Sequence, residues 1–451
     1  MLESVVEQLI RSTVSQISLS AEKAIRDRRT FSNIVSDTKE HVNDLACKLL
    51  EVIFEAVEQS YDQARDRHQV VIRNRNKYRN LLTELGTVRL RHTLYFEKST
   101  QRYFFAADEL LQIEKYSRIE NNMQAKLVSD ATITSFGKAS ALAGNTVSRQ
   151  TVHNLVKKLN VIEAETAKTD WNAKDIYIEA DEDHIHLNDG NPAEMKLVYV
   201  HEGRENTKER SKLKNPRYFV SIDSDADQIW NDVADYILTN YSAYKSNVHL
   251  SGDGAPWIKQ GIRIMPHVQY NLDKFHLQKA VTNITSGRKP LQVRLRRNVY
   301  NGNLQGVKEL VRAICDEETV SSRRREIVKS ALYVQGNMPY ISKETCCSAE
   351  GHVSHVLSAR LSSRPMAWSK DGAERMAKLR AFMFNKGDFK QLMQRGKCPI
   401  KNQLEILPQK KRQLVANRGT CDESISLTYS IPGIEKISTG FSHIIKNLID
   451  Y

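Results

Sequence analysis

Long apolar runs are missing from this sequence. No stretch approaches the roughly 20 residues a membrane helix needs, so no membrane segment is predicted. The N-terminus, MLESVVEQLIRSTVSQISLS, is amphipathic and carries acids early, unlike a signal or transit peptide, so a cytoplasmic protein is expected. Cysteine is scarce: six occur in 451 residues, at 47, 315, 346, 347, 398 and 421, with no CxxC pair. That spacing excludes a zinc ribbon or a disulfide framework and predicts reduced thiols. A GxSxG elbow, a GxxxxGKS/T loop and an HExxH frame are all lacking, which removes support for serine-triad hydrolysis, ATP use and zincin chemistry. His184, His186, His201, His352 and His355 are better taken as surface or supporting groups than as zinc ligands, because HxxH in GHVSH spans only i, i+3.

Positive charge is what the chain has in excess. Its 67 Lys and Arg against 54 acids give a net charge of +13 and a pI near 9.3. So basic a chain points to a polyanionic partner, and nucleic acid is the expected one.

Residues 1–85 have helical periodicity and no Pro or Gly, predicting a helical N-terminal region. Within it QARDRHQVVIRNRNKYR (63–79) sets six Arg and Lys against one acid. As a helix it offers either a solvated face or one laid on a DNA backbone. Over 86–125 the period changes to two: Val88, Leu90, His92, Leu94 and Phe96 alternate with polar residues, KSTQ breaks the run and RYFF resumes it. A small β-hairpin is predicted there. Residues 126–166 resemble a helix-turn-helix with a slightly long turn at Gly144 and Ser148 as N-cap. Val152, Leu155, Val156 and Leu159 share one face, leaving Arg149, Gln150, His153 and Asn154 exposed as a recognition helix would.

From 170 to 395 the pattern is α/β. Strands are predicted at 175–181, 195–201 and 218–222, a helix over DADQIWNDVADYILTNY, a strand at 247–253, a short helix around Trp257 and a strand near 264–270. This is the order of the ribonuclease H-like fold. A basic helical insertion, about 283–345, follows; residues 286–330 hold 11 Lys and Arg against 5 acids. The tail 396–451 carries weak signals and is expected to be mostly irregular.

In IYIEADEDHIHL (176–187), Ile176, Ile178 and Ala180 face one way and Glu179, Asp181 and Asp183 the other. Such a strand is either a wet edge or one wall of a metal site. Phosphoryl transfer on divalent ions needs oxygen ligands brought from distant segments. Asp181, Asp253 in LSGDGAPWI and Glu350 at the start of a helix are the candidates, 72 and 97 positions apart.

The segments YIEADEDHIHL, GDGAPWIK, NLDKFHLQK and SAEGHVSHVLSARLSSRPMAWS, in this order, resemble bacterial insertion-sequence transposases of the ISLre type, relatives of the Mutator-like DDE transposases. The resemblance covers nearly the whole chain. It implies an α/β catalytic core of ribonuclease H-like fold with a helical insertion, preceded by a mostly helical DNA-binding N-terminal region. It also implies Mg²⁺ (or Mn²⁺) held by Asp181, Asp253 and Glu350, with cleavage at element ends and strand transfer into target DNA. Asp183 is the less favoured alternative to Asp181. In NLDKFH, similar to the Cys/Asp-x-x-His motif of that superfamily, Asp273 and His276 are expected to serve structure or substrate positioning. Arg360 and Arg364 are candidates for phosphate contact, against a solvated helix face. Partners would be terminal inverted repeats, target DNA and further copies of the chain, in a nucleoid-associated protein. A non-catalytic DNA-binding descendant and a nuclease that cuts without joining are the alternatives.

Overall fold

The computed structural model describes residues 2–161, 164, 169–206, 211–222, 226–242, 245–265, 268–342 and 347–395. The tail expected over 396–451 lies outside the described residues. Two compact units are formed, one of residues up to Ser129 with the short helix Phe389–Arg395, the other from Asp130 to Asp388.

In the first unit, helices α1 (Leu2–Arg26) and α2 (Phe31–Ala64) precede strands β1 (Val70–Leu82), β2 (Thr87–Glu97) and β3 (Arg102–Phe105), then helix α3 (Ala106–Leu110). The strands form an antiparallel sheet in the order β1-β2-β3. Cys47 and Phe54 of α2 pack on Leu81, Val88 and Leu90, and Tyr61 on Val70, Tyr95 and Phe104. The alternating run 88–96 and RYFF pair as expected. The basic stretch 63–79 does not continue the helix. α2 ends at Ala64, where the Arg65 backbone turns extended, and most of the stretch is strand β1. Val70, Val71 and Ile72 are three consecutive β-branched residues that fit a pleated surface better than a helix. Asn76, in the left-handed region at φ 62°, lies where the register shifts between Asn74 and Lys77.

Helix α4 (Asn121–Ile133) carries the chain from the first unit into the second. There α5 (Phe136–Leu142) and α6 (Arg149–Lys158) are joined by a turn in which Gly144 and Asn145 both have positive φ. Ser148 caps α6, its hydroxyl accepting from the Thr151 amide at 3.1 Å.

A five-stranded sheet follows: β4 (Asp175–His186), β5 (Pro192–His201), β8 (Arg217–Ser221), β9 (Asn247–Gly252) and β10 (Val268–Leu272), ordered β10-β9-β4-β5-β8. β5 is antiparallel to β4 and β8, whereas β9 is parallel to β4 and β10. A ribbon of β6 (Arg204–Asn206) and β7 (Ser211–Leu213) separates β5 from β8 in the chain. Helices α7 (Asp227–Asn240) and α8 (Pro256–Ile264) bury Ile229, Trp230 and Ile258 against Ile176, Ile178, Ala180 and Leu250. At about 1.5–3 kcal/mol for each fully buried large side chain, this face anchors β4.

Helices α9 (Lys274–Thr285), α10 (Lys289–Tyr300), α11 (Leu304–Glu317) and α12 (Ser321–Asn337) enclose their own core around Val281, Leu295, Leu310 and Ile327, where the insertion was expected. Helix α13 (Ala349–Val353), a π turn (Ser354–Ser358), α14 (Ala359–Leu361) and α15 (Lys370–Phe384) cover the opposite face of the sheet. No helix among the described residues is long and apolar enough to cross a membrane.

Candidate active site

Because β4 lies between β9 and β5, its acidic face is not a wet edge. The pairing of β4 with β9 ends at Glu179 opposite Ser251, and carried two residues further it sets Asp181 beside Asp253. Pairing of β9 with β10 ends at Leu272 opposite Gly252, which brings Asp273 to the same edge. Asp253 and Asp273 thus follow the carboxyl ends of β9 and β10, the side on which α/β sheets bind ligands, and Asp181 stands beside them partway along the longer β4.

The loop after β9 is tightly built. A Cβ on Gly252 would lie 2.8 Å from Ile258 and 3.0 Å from the Ala180 carbonyl. Gly254 has φ +91°, and a Cβ there would lie 2.7 Å from Asn337 Oδ1. The Asp253 side chain accepts from the Ala255 amide at 2.8 Å, and Tyr333 of α12 donates to its carbonyl at 2.6 Å.

Burial, with the Asp253 and Glu182 charges adding to it, pushes the Asp181 carboxyl up to about 6, although the Glu182 amide donates to it at 2.9 Å. His276 bonds Asp273 through Nδ1 at 2.8 Å; that bond, together with the charges of Asp273, Asp181 and Asp253, raises its pKa. Asp273 also caps α9, accepting from the Phe275 amide at 3.2 Å. Asp273 and His276 are the two residues expected to serve structure or substrate positioning. Glu182 accepts from the Trp257 indole, and burial raises its pKa.

Asp183 is drawn elsewhere: Ser362 Oγ lies 3.0 and 2.8 Å from its two oxygens. Glu350 begins α13 with its side chain exposed, and among the described residues no group of three or more His, Cys, Asp or Glu side chains stands ready to hold a metal. The converging donors are therefore the all-oxygen pair Asp181 and Asp253. A buried carboxylate whose proton affinity is raised by burial and by a neighbouring carboxylate suits a hard divalent cation bound beside it.

Two residues before Asp181 on the same strand face stands Glu179, a group the sequence pattern did not single out. It is 2% exposed and accepts from Tyr199 Oη, from the Ser348 amide, from Ser348 Oγ at 3.0 Å, from His201 Nε2 at 3.2 Å and from Arg204 at 3.1 Å. Despite the penalty of burial, these donors hold its carboxyl down at about 2. Since Ser348 immediately precedes α13, Glu179 ties the helix of Glu350 to the strand of Asp181. The His352 ring lies tilted against Tyr199 with centroids 4.5 Å apart, and burial lowers its pKa to about 4. His201 and His352 are accordingly committed to this network.

On α6 the expected exposure is found: Arg149, Gln150, His153 and Asn154 face solvent while Val152 and Val156 are buried. Gln150 donates to Asn154 at 3.0 Å, which orders the face. The phosphate role expected of Arg360 does not survive. Arg360 is 5% exposed, donates from Nε to the Ala131 carbonyl at 2.9 Å and lies over the Phe136 and Trp368 rings. Burial, with Arg380 nearby, lowers its pKa to about 10. It stands three residues beyond the buried Leu357, hence on the inward face of the helix. Arg364 is exposed but lies past the end of α14. In the insertion Arg288 pairs with Glu317 of α11 at 2.9 Å and Arg323 of α12 donates to the Asn283 carbonyl of α9 at 2.7 Å, so part of its basic excess holds helices together.

Residues 25–397 match the model of an uncharacterised protein family, UPF0236. A UPF0236 protein named for eleven loci of Caldanaerobacter subterraneus subsp. tengcongensis is 33% identical over 380 residues, covering 82% of this chain and 81% of its own length. Another, named for four loci of that organism, is 35% identical over 376 residues, covering 80% and 79%. A UPF0236 protein of Streptococcus gallolyticus is 26% identical over 310 residues, covering 63% and 68%. The chain belongs to the UPF0236 family.

Proposed function

We propose that the chain is a DDE-type DNA transposase of the insertion-sequence class, cutting element ends and joining them to target DNA. The observation that carries this is the meeting of Asp181 and Asp253 where the parallel pairing of β4 with β9 ends. A ribonuclease H-like fold is part of the proposal, supported by three antiparallel strands to which two parallel ones are added at the free edge of the first. Asp181 and Asp253 would hold Mg²⁺ or Mn²⁺, with Glu350 joining from α13. Such an ion, when bound, activates water or a 3′-hydroxyl and stabilises the leaving oxygen. Asp273 orients His276 beside the carboxylates, and Glu179 fixes the start of α13. The α6 face would read terminal inverted repeats, and joining two ends calls for more than one copy of the chain. Names that span eleven and four loci of one organism fit a gene that copies itself within a genome.

A second reading, a non-catalytic DNA-binding descendant, is favoured by one observation: Glu350 is exposed and outside any group of metal-holding side chains among the described residues. The two separate on supercoiled DNA bearing the element's ends, incubated with Mg²⁺, Mn²⁺ or EDTA. Metal-dependent cleavage and joining by the wild type, absent in Asp253→Ala, is expected. Binding without cleavage under either metal would select the second reading, and cleavage without joining a plain nuclease.

A further inference from the structure

The N-terminal sheet has one face packed on α2 and another that faces solvent, and the outer face is built of arginine laid on aromatic rings. The register sorts the side chains. Leu81 opposite Val88 and Ile72 opposite Tyr95 are inward pairs, whereas Tyr78 opposite Arg91, Asn80 opposite Arg89 and Phe96 opposite Tyr103 are outward ones. Tyr78 is 54% and Tyr103 52% exposed, and Arg73 and Arg89 are exposed beside them. The Arg73 guanidinium lies 4.8 Å over the Phe96 ring and that of Arg89 4.3 Å over Tyr78.

An aromatic face beneath a guanidinium restricts its rotamers and leaves the N–H fork at the rim of the stack directed to solvent. That arrangement suits phosphate, which accepts two parallel hydrogen bonds from one arginine. Rings already covered by guanidinium are less open to stacking bases, so the face suits a duplex backbone better than an unpaired strand. Acids temper its edge without cancelling it: Asp62 pairs with Arg75 at 3.0 Å, and Glu55 lies 3.8 Å from Arg91.

We propose that this outer face is a second, sequence-independent DNA-binding surface that grips the phosphate backbone of duplex DNA through Arg73 and Arg89. The inference rests on the DNA-processing function proposed above. It differs from the α6 face in carrying charge rather than base-reading amides.

The test is fluorescence anisotropy of the full chain on a random duplex of about 30 bp, with salt varied from about 50 to 300 mM. The variants are Arg73→Gln/Arg89→Gln, and Arg73→Lys/Arg89→Lys, which keeps the charge but loses the flat stack. The glutamine variant should show a plot of log affinity against log salt shallower by about 2, since each phosphate contact contributes about 0.9. The lysine variant should keep the wild-type slope with affinity lowered several-fold. A glutamine variant that melts like the wild type and keeps its slope and affinity overturns the surface while leaving the DNA function standing. A wild type that does not bind duplex at about 50 mM salt overturns both. If the variant loses slope on a single strand of equal length but not on duplex, the duplex assignment fails.

Discussion

Glu179 and Asp181 are carboxylates two residues apart on one face of one strand, and their surroundings differ sharply. Glu179 collects donors from β5, β6 and the start of α13, which keep it ionised with its carboxyl down at about 2. Asp181 accepts one backbone amide and shares its space with Asp253, so its carboxyl is pushed up to about 6. The first has its charge fully compensated by the protein. The second lacks compensation in the protein alone, which is the condition under which a cation binds. Side by side they separate a carboxylate that holds the fold from one that is poised for chemistry.

The largest effect that can break this contrast is on turnover. Asp253→Ala should lower metal-dependent DNA cleavage by about a hundredfold to a thousandfold or more, read as nicked product per unit time, while the melting temperature stays near wild type. Glu179→Gln should act the other way round, lowering stability by about 3 kcal/mol in denaturant titration, since it removes the charge that its donors are set to meet. Should Glu179→Gln melt like the wild type, the structural assignment of that residue is wrong.

The two acids also predict opposite slopes of stability against pH. Glu179, with its folded pKa depressed from 4.5 to about 2, contributes stability that is present above about 4.5 and lost as pH falls through about 2. Asp181, raised from 3.8 to about 6, imposes a cost absent below about 3.8 and fully present above about 6. Asp181→Asn should therefore stabilise the protein by about 2 kcal/mol at neutral pH while removing activity, and it should flatten the fall in stability between about pH 4 and 6. Metal affinity of the wild type should rise with pH through about 6, because the cation must displace the proton that the metal-free Asp181 carboxyl holds there. The smallest effect is local: Gly254→Ala forces a side chain into φ +91° beside Asn337 and should cost about 1–2 kcal/mol.

Much of this was legible in the residues. Ile176, Ile178 and Ala180 announced the core face of β4, and Gly252 and Gly254 the tight turn around Asp253. Ser148 marked the start of α6. Other features depend on partners remote in the chain. Glu179 looked like any acid of an alternating strand, because its meaning comes from Tyr199, His201, Arg204 and Ser348. The choice between Asp181 and Asp183 follows from Ser362, 179 residues away from the latter. Arg360 looked solvated because arginine usually is, yet its helical phase placed it inward with Leu357. The arginine-rich run after Ala64 looked helical because charge hid the β-branched triplet that starts β1.

The most direct measurement is a Mn²⁺ titration followed by electron paramagnetic resonance, on wild type, Asp181→Asn and Glu179→Gln, with and without an element-end duplex. Saturable binding by the wild type and by folded Glu179→Gln, lost in Asp181→Asn, is the expected result. Equal binding by wild type and Asp181→Asn, or no saturable binding even on DNA, would contradict a metal site at Asp181 and Asp253.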